Sequence, residues 1–121
     1  MSYFYARKEK REFIELIRDN TEEILIDSGA HSFQKGKQVD WEAYTKEYAK
    51  FIKEFDKSNI IGYFEMDVDN IIGYDKVLEL RKNNHDKEFL LLYSNYDLPT
   101  IQDSILGNLK NELTEIKILT T

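Results

Sequence analysis

Two aspartates hold the chemistry this sequence offers. Asp27 closes the run Glu23-Ile24-Leu25-Ile26-Asp27, and Asp67 closes Ile60-Ile61-Gly62-Tyr63-Phe64-Glu65-Met66-Asp67. In both, an apolar run bounded by turn signals ends in a carboxylate. Such a run suits a strand covered on both faces, as in a parallel sheet. Carboxylates at that position open on the C-terminal edge of the sheet, where ligands collect in α/β architectures. On successive strands they are expected close enough to share a ligand. One can stay ionised while the other, in a different environment, accepts or donates a proton. A carboxylate also accepts hydrogen bonds from the N–H edge of a purine. Ser28 and Gly29 allow a sharp turn and a close approach of backbone to ligand. Taken alone, Asp27-Ser28-Gly29 reads as a simple turn; the second strand ending the same way is what singles it out. Glu65, Asp67 and Asp69 alternate, so a strand running that far carries all three on one face. Such acids can hold Mg²⁺, but no spacing calls for it. The sequence predicts neither a metal nor a cofactor.

The elements that must position these groups alternate. Residues 1–6 read as an extended segment or a first strand. A helix follows over 7–19, with Phe13, Leu16 and Ile17 on one side and Arg7, Lys8, Lys10 and Arg11 on the other. After the strand at 23–27 comes a polar loop, 30–38, in which Lys35 and Lys37 flank Gly36. Asp40 is a predicted N-cap for a long helix to residue 56, where Trp41, Tyr44, Tyr48, Phe51, Ile52 and Phe55 recur at helical spacing. That aromatic stripe predicts core packing. The second strand, 60–66, leads to a helix over 71–81, with Tyr74, after Gly73, as the alternative start. His85, in the polar loop 82–87, is predicted exposed. Phe89 to Tyr93 reads as a third buried strand. Pro99 opens a last helix to residue 115, with Ile101, Ile105, Leu109 and Leu113 on one stripe, and 116–119 is a closing strand. Helices alternating with strands imply right-handed crossovers and a parallel sheet, hence an α/β fold. No repeat or linker interrupts the chain, which reads as a single domain.

Composition narrows the partners. The 121 residues carry 17 basic and 23 acidic side chains, a formal net charge of −6. That argues against broad electrostatic adhesion to nucleic acid or to an anionic membrane. With no cysteine there is neither a disulfide framework nor a thiolate zinc site. No apolar run approaches a transmembrane helix and no signal-peptide pattern is present, so a cytoplasmic protein is expected.

Asp27-Ser28-Gly29-Ala30 followed by Phe33-Gln34 resembles the strand-end motif of tRNA-guanine (queuine) transglycosylases, and most closely the transglycosylase-like proteins of bacteriophages and bacteria. Tyr63-Phe64-Glu65-Met66-Asp67-Val68 looks like that family's second strand. The likeness covers about residues 24–80. It implies a βα barrel, of which this chain would make half, since a full barrel takes about 250 residues. It implies an acid/base or ligand-positioning role for Asp27 and recognition of the heterocyclic base by Asp67. The neighbouring Ser28, Gly29, Ala30, Phe33, Gln34 and Asp69 then belong to the substrate site. The implied reaction cleaves the glycosidic bond of a guanine in tRNA and installs a deazaguanine, through a separate nucleophilic aspartate. Asp97 and Asp103 sit in no matching motif, His31 stands where an aromatic is usual, and residues 88–121 read as sequence of another origin. The expected partner is a guanine or deazaguanine base or tRNA, and a homo-oligomer is expected, because open barrel edges are sticky. The alternative is a non-catalytic, phage-type protein that kept the fold and binds and blocks a host protein.

Overall fold

The computed structural model describes residues 1–33, 38–93 and 117–119. In chain order these form α1 (Tyr3–Ala6), α2 (Arg11–Asp19), β1 (Ile24–Ile26), a 3₁₀ turn (Ala30–Ser32), α3 (Trp41–Phe55), β2 (Ile60–Phe64), α4 (Asp69–Ile72), α5 (Tyr74–Asn83), α6 (Lys87–Leu91) and β3 (Ile118–Leu119). The three strands are parallel and lie in sequence order. The α/β class and the parallel sheet are as the sequence predicts. Residues 1–2 extend the sheet beyond β1. The Asp27 amide donates to the Met1 carbonyl and the Tyr3 amide to the Asp27 carbonyl, each at 2.8 Å. The chain then turns at once into α1, so the expected first strand is a single bridge at Ser2.

β1 and β2 pair with one extra residue on β2: Ile24 lies opposite Ile60, but Leu25 lies opposite Gly62. The bulge restores the alternation, so that Ile24, Ile26, Ile60, Tyr63 and Ile118 are all buried. On the other face Leu25 and Ile61 are 43 % and 48 % exposed. The run expected to be covered on both faces is therefore buried on one. At Gly62 the neighbouring strand β3 leaves no room for a side chain, because Leu119 folds against it. A Cβ at residue 62 would sit 2.6 Å from Leu119 Cδ1 and 3.0 Å from the Lys117 carbonyl.

The long helix α3 covers the buried face. Its predicted cap forms, with Asp40 Oδ1 accepting from the Ala43 amide at 3.0 Å. The aromatic stripe, from Trp41 to Phe55, is buried throughout. Tyr3 stacks on Tyr48 with ring centroids 5.0 Å apart, and Phe51 on Phe55 at 4.7 Å. Burying aromatics of this size contributes about 2–3 kcal/mol each relative to exposure.

Three expectations are corrected. Phe13, Leu16 and Ile17 were assigned to the buried side of their helix, yet they are 53 %, 62 % and 40 % exposed. That helix, α2, starts at Arg11 and buries Ile14 and Arg18. The Arg11 guanidinium lies 5.2 Å from the Phe51 ring centroid, and Arg18 lies 4.6 Å from that of Phe55 while donating to the Phe55 carbonyl at 2.8 Å. The docked face thus pairs one aliphatic side chain, Ile14, with guanidinium groups held by ring faces and a carbonyl. Second, Phe89 to Tyr93 is no strand. Asp86 caps α6 by accepting from the Glu88 and Phe89 amides at 3.1 and 3.2 Å, and a short, wholly buried apolar run carries no period to tell helix from strand. Third, β2 ends at Phe64 and Asp69 opens α4, so Glu65, Asp67 and Asp69 do not line one strand. The expected helix over 99–115 lies outside the described residues. His85 is exposed as expected.

Burial dominates the ionisation of the core tyrosines. Tyr3, Tyr44, Tyr48 and Tyr63 are held well above the ordinary phenol value by desolvation, and burial pushes Tyr93 up to about 12. The fold therefore favours the neutral phenols. Their contribution is full below the unfolded value of about 10 and is lost as pH rises through the folded values. The urea midpoint should be level from about pH 7 to 9 and fall above pH about 10. A midpoint unchanged at pH 11.5 would contradict this.

Candidate functional site

Asp27 and Asp67 both lie past the C-terminal ends of their strands, on one edge of the sheet. They are not used alike. The Asp27 backbone is bound to the Met1–Tyr3 segment, and its side chain is exposed. Its negative charge reaches Tyr44 and Tyr48, adding to the effect of burial on both phenols. Asp67 is half-buried and faces the loop after β1, with Oδ2 3.7 Å from His31 Nε2. His31 thus brings the turn after β1 next to the segment after β2. Asp69 occupies the first turn of α4, where its carbonyl accepts from the Gly73 amide at 2.9 Å.

The turn between these groups is built from small residues and one phenol. Ser28 is buried, and its carbonyl accepts from the Tyr44 hydroxyl at 2.6 Å. Gly29 has φ +75°, and a Cβ there would stand 2.5 Å from Phe4 Cβ, so no larger residue fits. Ala30 is buried at the start of the 3₁₀ turn. Ser28, Gly29 and Ala30 therefore shape the edge from beneath. Phe33 packs against Phe4, Tyr44 and Trp41, with centroids 4.9, 5.1 and 5.3 Å apart. Gln34 lies outside the described residues.

A cleft of about 1030 Å³ opens beside this edge. Its apolar wall is Phe33, Val39 and Trp41 on one side and Ile72 and Leu80 on the other. Gln38, Asn70 and Asn83 supply side-chain amides and His31 an imidazole. The charged groups are Asp40 and Glu42 from the start of α3, and Lys76 and Glu79 from α5. The two strand-end aspartates are not among its lining residues; Asp67 reaches it through His31.

Sequence reading found Phe33 but missed most of this cleft. Trp41 was assigned to the core, and it is nearly buried there while also forming wall. Lys76, Glu79, Leu80 and Asn83 fall at i, i+3, i+4 and i+7, one face of α5. That spacing was visible, but polar residues on a helix ordinarily mean a solvated face. Among the described residues, no three His, Asp or Glu side chains gather so as to hold a metal ion. No described helix is long and apolar enough to cross a membrane.

No protein-family model, curated protein or solved structure matches the chain. The geometry defines an α/β protein with a cleft at the C-terminal edge of a small parallel sheet.

The Tyr44 to Ser28 bond is the contact that sets this edge. Tyr44→Phe should destabilise the protein by about 1–2 kcal/mol, because it leaves a buried carbonyl without its donor. Chemical unfolding measures this, and a loss below about 0.3 kcal/mol would show the bond to be dispensable.

Proposed function

We propose that the chain is a transglycosylase-like half-barrel domain that binds a purine-type base or nucleotide in the cleft beside the strand ends. One observation carries the reading: an aromatic-walled cleft at the C-terminal edge of a parallel sheet, rimmed by the side-chain amides of Asn70 and Asn83. An amide both donates and accepts, as the edge of a purine does, and concave apolar sites with a few polar groups are where small ligands bind. The half-barrel assignment draws on the sequential order of the parallel strands and on the open sheet face at Leu25 and Ile61. A sheet wound in one direction with helices on one face curls toward closure. Asp67 positions the loop through His31, and Asp27 is the acid/base candidate at the same edge. Base exchange on tRNA, in the cytoplasm, then requires a second chain to supply the missing nucleophile. A second copy is the simplest source, and light scattering that shows a monomer at tens of micromolar would remove that part of the reading.

A protein that binds and blocks a host partner is the second reading. It is favoured by the outward stripe of Phe13, Leu16 and Ile17 on α2. Exposed apolar groups arranged along one helix face suit a protein contact.

Trp41 is the sole tryptophan and lines the cleft, so its fluorescence reports occupancy. Adding guanine or 7-deazaguanine should change that emission saturably. The change should weaken several-fold in Asp67→Asn and persist in Leu16→Glu. A folded protein that gives no change in emission and no heat with any base would refute base binding. The α2 stripe would then be the surface to pursue.

A further inference from the structure

We infer that the slot along the outer edge of β2, filled by residues 117–119 of the same chain, also accepts residues 117–119 of a second copy, so that two copies can trade β3. The inference is independent of what the cleft binds.

β3 spans only Ile118–Leu119, and among the described residues it pairs with β2 alone. The Tyr63 amide donates to the Lys117 carbonyl at 2.9 Å and the Glu65 amide to the Leu119 carbonyl at 3.0 Å. A ladder this short is a small hold, so the side chains decide what fits. Ile118 is buried opposite Tyr63. Leu119 lies in the space that a Cβ at residue 62 would need, so Gly62 is a notch cut to receive it. The Lys117 ammonium donates to the Ile60 and Lys57 carbonyls at 3.0 and 3.1 Å and lies 3.5 Å from the Asp56 carboxylate. Asp56 is held in turn by the Tyr63 hydroxyl, which donates to it at 2.8 Å. A basic, an aliphatic and a leucine side chain in succession each meet a fitted partner.

The fit carries strain. Lys117 has φ +60°, a left-handed conformation disfavoured for any residue with a Cβ. The ammonium contacts hold the strand against that strain, and the strain is relieved when the strand leaves. β2 then presents unpaired amides beside the notch, a template for another strand. The strand that suits it is the one whose side chains already match, and residues 117–119 of another copy make the same contacts. Residues 94–116 separate Tyr93 from Lys117. A stretch of that length reaches at most about 80 Å, so connectivity does not confine β3 to its own β2. Within one copy the strand returns at a high effective concentration, and exchange shows once that route is blocked.

The experiment pairs a full-length variant that only gives the strand with one that only receives it. Gly62→Leu fills the notch and keeps β3, whereas Leu119→Asp keeps the notch and spoils the strand. Each alone should sediment as a monomer. Mixed in equal amounts they should form a one-to-one dimer, and Lys117→Gln in the giving variant should weaken it several-fold. Two folded variants that stay monomeric on mixing would overturn the inference. So would a dimer formed by either variant alone, because it would place the interface elsewhere. If Gly62→Leu does not fold, a fluorescein-tagged peptide of residues 115–121 replaces it. The peptide should bind the Leu119→Asp protein saturably, and several-fold more tightly than a scrambled peptide. No binding to the folded protein would overturn the inference, and so would equal binding of the scrambled peptide, which would show a slot that takes any strand.

Discussion

Two phenols, one turn apart on α3, fix where the edge of the sheet lies. Tyr44 donates to the carbonyl of Ser28, just past β1, and Tyr48 donates to the carbonyl of Phe64, the last residue of β2, at 2.6 and 2.9 Å. A carbonyl at the end of a strand has left the ladder and needs another donor if it is buried. Residues i and i+4 share one face of a helix, so a single rigid element supplies both donors. The spacing of two adjacent strand ends is thereby matched to the rise of one helical turn. Tyr3 reinforces the arrangement from the other side, stacked on Tyr48 and edge-on to Tyr44 at 5.5 Å. Because both hydroxyls are committed to backbone, they hold the edge in place and are not the donors that a ligand would meet.

The cleft follows from that anchoring. With Tyr44 and Tyr48 bound to the strand ends, the first turn of α3 must stand next to the edge, which brings Trp41, Asp40 and Glu42 into one wall. The facing wall depends on Gly73, whose φ of +90° separates α4 from α5. At such a φ a residue with a Cβ is strained, whatever the space around it. The break lets α4 present Asn70 and Ile72 while α5 presents Lys76, Glu79 and Asn83. Two short helices with different axes make a concave surface that one straight helix of the same length could not.

The parts of this arrangement legible in the sequence were those with a strong period or a local chemical signature. The aromatic stripe of α3 repeats at helical spacing over fifteen residues, and Asp40 stands directly before it, so both helix and cap were readable. β1 and β2 were readable from their apolar runs, although β2 stops at Phe64, short of Asp67. α2 was misread because hydrophobicity alone ranks Phe13, Leu16 and Ile17 above Arg11 and Arg18. The face with Ile14 and Arg18 is the one buried, because α3 offers the guanidinium groups ring faces and a carbonyl, and nothing in the sequence near residue 11 or 18 announces Phe51 or Phe55. The cleft was hidden for the same reason. It is assembled from loop, helix start and helix face, each ordinary on its own, and only the tertiary meeting of residues 31, 41, 70 and 83 makes a site.

That origin bears on what the paired aspartates are for. As a pair dividing acid and base work between them, they would need a shared, desolvated space. The chain does not build one around them: Asp27 is exposed beside the Met1–Tyr3 segment, and Asp67 keeps 37 % of its side chain exposed opposite His31. The apolar-walled space lies beside them instead, among Phe33, Trp41, Ile72 and Leu80. Its polar equipment is amides and carboxylates on helices, groups suited to recognising a ring by its edges. The strand-end carboxylates stand at the border of that space, Asp67 3.7 Å from His31 and Asp27 with its field on the tyrosines beneath. On the base-binding proposal, recognition lies in the cleft of one chain, and any bond-breaking step falls to groups that reach the border from outside.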